Sequence, residues 1–296
     1  MTLFKGSGVA LVTPFKDGKV NFKKLEEILN WHVECGTDAI IVCGTTGEAS
    51  TMTEEERKET IKFTVDTINK RIPVIAGTGS NNTEAAIKMS KWAESIGVDG
   101  VLVITPYYNK TTQKGIFEHF KAINDSINIP IILYNVPSRT GLNITPKTLL
   151  KLCDLNNVVA IKEARGNFSQ LVEMKALCRD KIDLYSGNDD QVVPLLSLGG
   201  IGVISVAANI YPKEMHDICD LYMNGKTHEA LKIQLDMLDV INSLFIETNP
   251  IPIKTAMNLK GMDVGNLRLP LCDMEENNLE VLKNALENYN KTSREA

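Results

Sequence analysis

A chain of 296 residues with 43% hydrophobic content can bury a sizeable core, as one large α/β barrel or as two ordinary domains. Its 32 basic and 37 acidic side chains leave a net charge of −5, interspersed along helix-like stretches, which argues against nucleic acid or anionic membrane as a partner. No apolar run approaches the roughly 18 residues of a spanning helix, and Met1-Thr2-Leu3-Phe4-Lys5-Gly6 lacks both a continuous apolar region and a small-residue cleavage site, so a cytoplasmic chain is expected.

Short apolar runs recur along the chain: Val9 to Phe15, Ala39 to Cys43, Pro73 to Gly77, Val101 to Pro106, Pro130 to Val136, Val158 to Glu163, Asp183 to Gly187 and Gly202 to Ala207. Their starts lie 19 to 34 residues apart, room for a strand and a crossover helix each time, which implies parallel pairing. Helix signals fall between them. Thr53 and Glu56 form a capping box ahead of Ile61, Phe63, Val65 and Ile68, and Thr145-Pro146 places an N-cap before a proline at the first helical position. Eight such units close most naturally into a (β/α)8 TIM barrel, whose reactive groups gather at the carboxyl ends of the strands. A doubly wound open sheet is the alternative.

Beyond the eighth unit the pattern turns helical, near Lys213 to Asn224, Thr227 to Phe245, Ile253 to Leu259 and Glu275 to Tyr289. We expect a catalytic barrel over residues 1–225 and a C-terminal helical appendix over 226–296, with no free linker, since Asn249-Pro250-Ile251-Pro252 is short and apolar. The polar composition of the last twenty or so residues allows fraying there.

The polar strand ends carry the candidate chemistry. Gly44-Thr45-Thr46-Gly47-Glu48 offers hydroxyls and backbone N–H groups suited to a carboxylate, or forms a plain βα turn with threonine caps. Tyr107-Tyr108-Asn109 is an unusual aromatic pair for a loop. Tyr134 ends an apolar strand and is either a proton carrier or a core tyrosine with one backbone partner. Arg139, on the loop just after it, suits a bidentate carboxylate or simply points to water. Lys162 closes Val158-Val159-Ala160-Ile161-Lys162-Glu163. Burial there lowers an amine's pKa and makes it a nucleophile toward carbonyl carbon, whereas an ordinary strand-end lysine snorkels its amine to water.

Other chemistries lack their residues. His32, His119, His216 and His228 are dispersed, Gly199-Gly200-Ile201-Gly202 lacks a P-loop lysine, and Asp189-Asp190 reads as helix capping, so neither metal nor cofactor is expected. Six cysteines without C-x-x-C spacing point to reduced thiols.

Taken together, Gly44-Thr45-Thr46-Gly47-Glu48, Tyr107-Tyr108-Asn109, the run from Tyr134 to Gly141 and Ile161-Lys162-Glu163 resemble the dihydrodipicolinate synthase family, within the pyruvate-dependent lysine aldolases and lyases, over about Gly6 to Lys260. The resemblance implies that Lys162 forms a Schiff base with pyruvate, and that Thr46 and the backbone of Thr45 hold its carboxylate. It implies proton transfer by Tyr134, relayed through Thr45 and through Tyr108 of a neighbouring subunit, and binding of L-aspartate 4-semialdehyde by Arg139. Main chain at Gly187 and Ile204 would line the pocket, and a homotetramer built as a dimer of dimers would serve the diaminopimelate and lysine pathway. A related lyase such as N-acetylneuraminate lyase, for which Arg139 is an awkward charge, and a non-catalytic carboxylate-binding barrel are the alternatives. One departure stands out. Where lysine-inhibited members resembling this chain carry histidines and a glutamate, it has Ala49-Ser50, Glu54, Arg57 and Ala85, keeping Asn81 and Tyr107, so weak or absent feedback by lysine is expected.

Overall fold

The apolar runs become strands buried on both faces, with the barrel interior on one side and helices on the other. The computed structural model describes residues 2–295. In it β1 (Gly6–Ala10), β2 (Ala39–Val42), β3 (Val74–Gly77), β4 (Gly100–Ile104), β5 (Ile131–Asn135), β6 (Val158–Glu163), β7 (Asp183–Ser186) and β8 (Gly202–Ser205) pair side by side in chain order, all parallel. Pairing of β1 with β8 as well as β2 closes the ring, which excludes the open doubly wound sheet.

A helix follows each strand: α1 (Phe22–Glu34), α2 (Glu54–Ile68), α3 (Thr83–Ser95), α4 (Gln113–Asn124), α5 (Pro146–Leu152), α6 (Phe168–Cys178), α7 (Val192–Ser197) and α8 (Pro212–Met223). Both sequence-level caps form. Thr53 and Glu56 bond reciprocally at the start of α2, and the Thr145 hydroxyl accepts from the Thr148 N–H at the start of α5.

The first strand lies earlier than its expected place at Val9 to Phe15. Gly6, Ser7 and Gly8 have weak strand propensity, yet all are buried, because a Cβ at Gly202 would fall 2.0 Å from the Gly6 carbonyl oxygen and one at Gly8 would fall 2.6 Å from Ile41 Cδ1. Close approach between neighbouring strands, not propensity, decides those residues. Phe15 belongs instead to a two-strand hairpin, Phe15–Lys16 with Lys19–Val20.

After α8 come α9 (Thr227–Asp236), α10 (Leu238–Ser243), α11 (Ile251–Leu259) and α12 (Glu276–Glu295). The helix expected over Thr227 to Phe245 is therefore two, separated at Met237, and the C-terminal stretch expected to fray is helical, with Leu282, Leu286 and Tyr289 at four- and three-residue spacing turned into the core.

Alternation along the strands aims the site. On β6, Ile161 faces the helices while Ala160 joins the cluster filling the barrel, so Lys162 also points inward; on β5, Ile132 and Tyr134 do the same. At the opposite end Phe4 stacks on Tyr185 with ring centroids 4.4 Å apart, and the Tyr185 hydroxyl donates to the Phe4 carbonyl at 2.6 Å. That floor leaves the cavity at the carboxyl ends of the strands.

Candidate active site

Strand register sets Tyr134 beside Lys162 on adjacent strands. The amine lies 4.4 Å from the centroid of the tyrosine ring, and both side chains line one cavity of about 170 Å³. Lys162 is 5% exposed, and among the described residues its amine has no hydrogen bond or ion pair within contact distance. Burial pushes it down from the ordinary lysine range to about 8; the Asp189 carboxylate opposes that shift and the Arg139 guanidinium adds to it. Burial raises the Tyr134 phenol, while Arg139 and a side-chain hydrogen bond with Thr45 draw it back. An uncharged amine beside a protonated phenol is a pair able to attack a carbonyl and then move protons.

Thr45 and Thr46 reach the same cavity from the loop after β2. The loop takes a sharp course, with Cys43 and Glu48 both at φ 53, in the left-handed region. Thr13 Oγ1 donates to the Gly47 carbonyl at 2.7 Å, and Thr46 Oγ1 accepts from Asn249 Nδ2 at 3.0 Å. Arg139, in the single helical turn Pro137–Thr140, donates from Nη2 to the Asn249 carbonyl at 3.0 Å and lines the cavity. The wall thus combines two threonines and a guanidinium with the amine. Hydroxyls and a guanidinium would suit carboxylate groups on a carbonyl compound.

Gly187 lines the cavity next to Lys162, where a Cβ would meet Ala164 Cβ at 2.6 Å and Lys162 Cε at 3.1 Å, so a side chain there displaces the amine. Ile204 lies in the barrel's interior cluster, and Val206 is the residue from that strand end that lines the cavity. Asp189, read from sequence as a helix cap, is buried and accepts instead from the N–H groups of Val206 at 3.0 Å and Ala207 at 2.8 Å. Asp189 lies on a strand end that the sequence marks as polar, but its bonds across to the next strand end were not foreseen, and Asn249, on the cavity wall, was read only as part of a short apolar connection.

Residues 3–289 match the Dihydrodipicolinate synthetase family. The chain belongs to this family. It is 99% identical over 296 residues, 100% of both chains, to a Clostridium novyi protein named 4-hydroxy-tetrahydrodipicolinate synthase. A Clostridium tetani protein of the same name is 72% identical over 98% of this chain and 99% of its own. A solved structure of dihydrodipicolinate synthase from Acinetobacter baumannii, described as chloride inhibited and complexed with pyruvate, superimposes with a TM-score of 0.95 at 43% identity, covering 98% of this chain and 99% of that one.

A second cavity, of about 280 Å³, meets the first at Thr45, Tyr134 and Arg139 and is bounded by Ala49, Ser50, Arg57 and Tyr107. In this family member Arg57 Nη2 is committed to the Gly77 carbonyl at 3.0 Å. Tyr108 stands apart from both cavities, 89% exposed at φ 70. Among the described residues no cluster of three His, Cys, Asp or Glu side chains is placed to hold a metal, and no helix is long and apolar enough to cross a membrane.

Proposed function

We propose that this chain is a 4-hydroxy-tetrahydrodipicolinate synthase, condensing pyruvate, held as a Schiff base on Lys162, with L-aspartate 4-semialdehyde. The observation that supports it most is the buried amine, drawn down to about 8 and facing the Tyr134 ring in a cavity that also presents Thr45, Thr46 and Arg139. A free fraction of such an amine exists near neutral pH.

Attack of Lys162 on the keto carbon gives a carbinolamine, which loses water when its hydroxyl is protonated and becomes an iminium. Loss of a methyl proton then yields an enamine, whose carbon adds to the aldehyde. The amino group of the second substrate finally displaces the lysine as the ring closes, restoring the amine. Tyr134 is the donor and acceptor in these steps, with Thr45 next in its relay through their hydrogen bond. Thr46, with the backbone of Thr45, takes the pyruvate carboxylate, Arg139 takes the carboxylate of the semialdehyde, and the main chain at Gly187 shapes the pocket, with Ile204 in the interior cluster of the barrel.

Tyr108, extended away from its own barrel, completes the relay in a second copy of this chain, and the working form is a homotetramer of paired dimers. We place the enzyme in the cytoplasm, serving diaminopimelate and lysine synthesis. A barrel that only binds carboxylates needs neither the amine nor the phenol. Incubation with pyruvate and borohydride, read by intact mass, should give a stable adduct mapped to Lys162; an adduct that persists in Lys162→Ala would overturn the assignment. Turnover compared between L-aspartate 4-semialdehyde and N-acetylmannosamine separates this reaction from a sialic acid lyase.

A further inference from the structure

Thr46 and Arg139 follow different strands, β2 and β5, yet one residue from the C-terminal region touches both. Asn249 is buried on the cavity wall, with its side-chain amide on the Thr46 hydroxyl and its main-chain carbonyl on the Arg139 guanidinium. A threonine hydroxyl carries one proton. Because Thr46 Oγ1 accepts from Asn249 Nδ2, its own proton must be given elsewhere, and no protein acceptor for it is found among the described residues.

Resting on the function proposed above, we infer that Asn249 is a positioning residue that holds the Thr46 hydroxyl as a proton donor to the carboxylate of pyruvate. A hydroxyl oriented before the substrate arrives needs no reorganisation when the anion binds. The Asn249 side-chain oxygen has no partner among the described residues, so the bond to Thr46 is the one hydrogen bond found there that holds this side-chain amide. Asparagine suits the task for a chemical reason. An aspartate of the same shape would have only acceptors to offer, would draw the Thr46 proton to itself and would add a negative charge beside the incoming anion. The Arg139 contact is made by main chain, so exchanging the Asn249 side chain leaves it in place.

Pyruvate titrations of borohydride trapping at Lys162, with steady-state KM values for both substrates, test the inference. Asn249→Ala should raise half-saturation by pyruvate about tenfold, as expected for a hydrogen bond to a charged group, and leave the KM for L-aspartate 4-semialdehyde near that of the unchanged protein. Asn249→Asp should be worse toward pyruvate than Asn249→Ala. Thr46→Val combined with Asn249→Ala should bind pyruvate no more weakly than Thr46→Val alone, because the amide acts through the hydroxyl. Equal losses toward both substrates, additive losses in the double variant, or unchanged pyruvate saturation in Asn249→Asp would overturn it. Trapping that is normal in the unchanged protein and unaffected by Asn249→Ala would sink this inference alone; no trapping in the unchanged protein would sink it together with the function proposed above.

Discussion

Lys162 sits between charges of opposite sign, and burial outweighs both. The sign of each contribution is testable. The rate of adduct formation with pyruvate should rise with pH through a midpoint near 8 as ammonium becomes amine. The Asp189 carboxylate favours the charged form, so Asp189→Asn should move that midpoint to lower pH; stopped-flow or quenched trapping across a pH series reads it, and a midpoint that rises would contradict the charge placement. Lys162 and Tyr134 were legible in sequence because each is a polar tip on an apolar run, a local signal. The strand end that carries Asp189 was legible too, but what Asp189 bonds was not, because its partners Val206 and Ala207 lie on the next strand end, 17 and 18 residues on.

At the level of elements, the loop after β2 is fastened from beyond the barrel. Glu48, in the left-handed region and wholly buried, pairs with Lys254 of α11 at 2.7 Å and accepts from the Arg268 N–H at 3.0 Å. Lys254 also donates to the Asn266 carbonyl and lies 4.3 Å from the centroid of the Phe15 ring. Removing one partner strands a buried charge. Lys254→Met should therefore cost about 3–5 kcal/mol, whereas Glu48→Gln with Lys254→Met should recover much of it; denaturant midpoints of the three proteins decide. The division proposed at residues 225 and 226 marks where the βα alternation ends, and this buried pair across it predicts one cooperative unfolding transition by calorimetry for both parts. The order of strands and helices was readable, apart from the start of β1, where Gly6 and Gly8 serve strand approach and carry no apolar signature, and the break at Met237, which the periodicity ran through.

For the whole molecule, the exposed Tyr108 and the open cavity bounded by Ala49, Ser50, Arg57 and Tyr107 define two expectations. Light scattering should give a tetramer, and Tyr108→Phe should lower kcat with little change in either KM, since a relay hydroxyl takes part in proton transfer and not in binding; unaltered kcat would remove it from the relay. L-lysine should leave turnover nearly unchanged, because the second cavity carries the Arg57 cation, which repels an ammonium, and Glu54 is paired with Lys58 and Lys88. Half-inhibition at sub-millimolar lysine would refute that. By itself the sequence determined the eightfold βα order, the inward amine and phenol, and the family motifs, since burial on alternate faces and strand-end polarity repeat over a few residues. Tertiary structure alone decided that Asn249 meets Thr46 across 203 residues and Arg139 across 110, and that Lys254 meets Glu48 across 206. Contacts that far apart leave no periodic trace, because they form only where ring closure brings the C-terminal region onto the loops at the barrel's mouth.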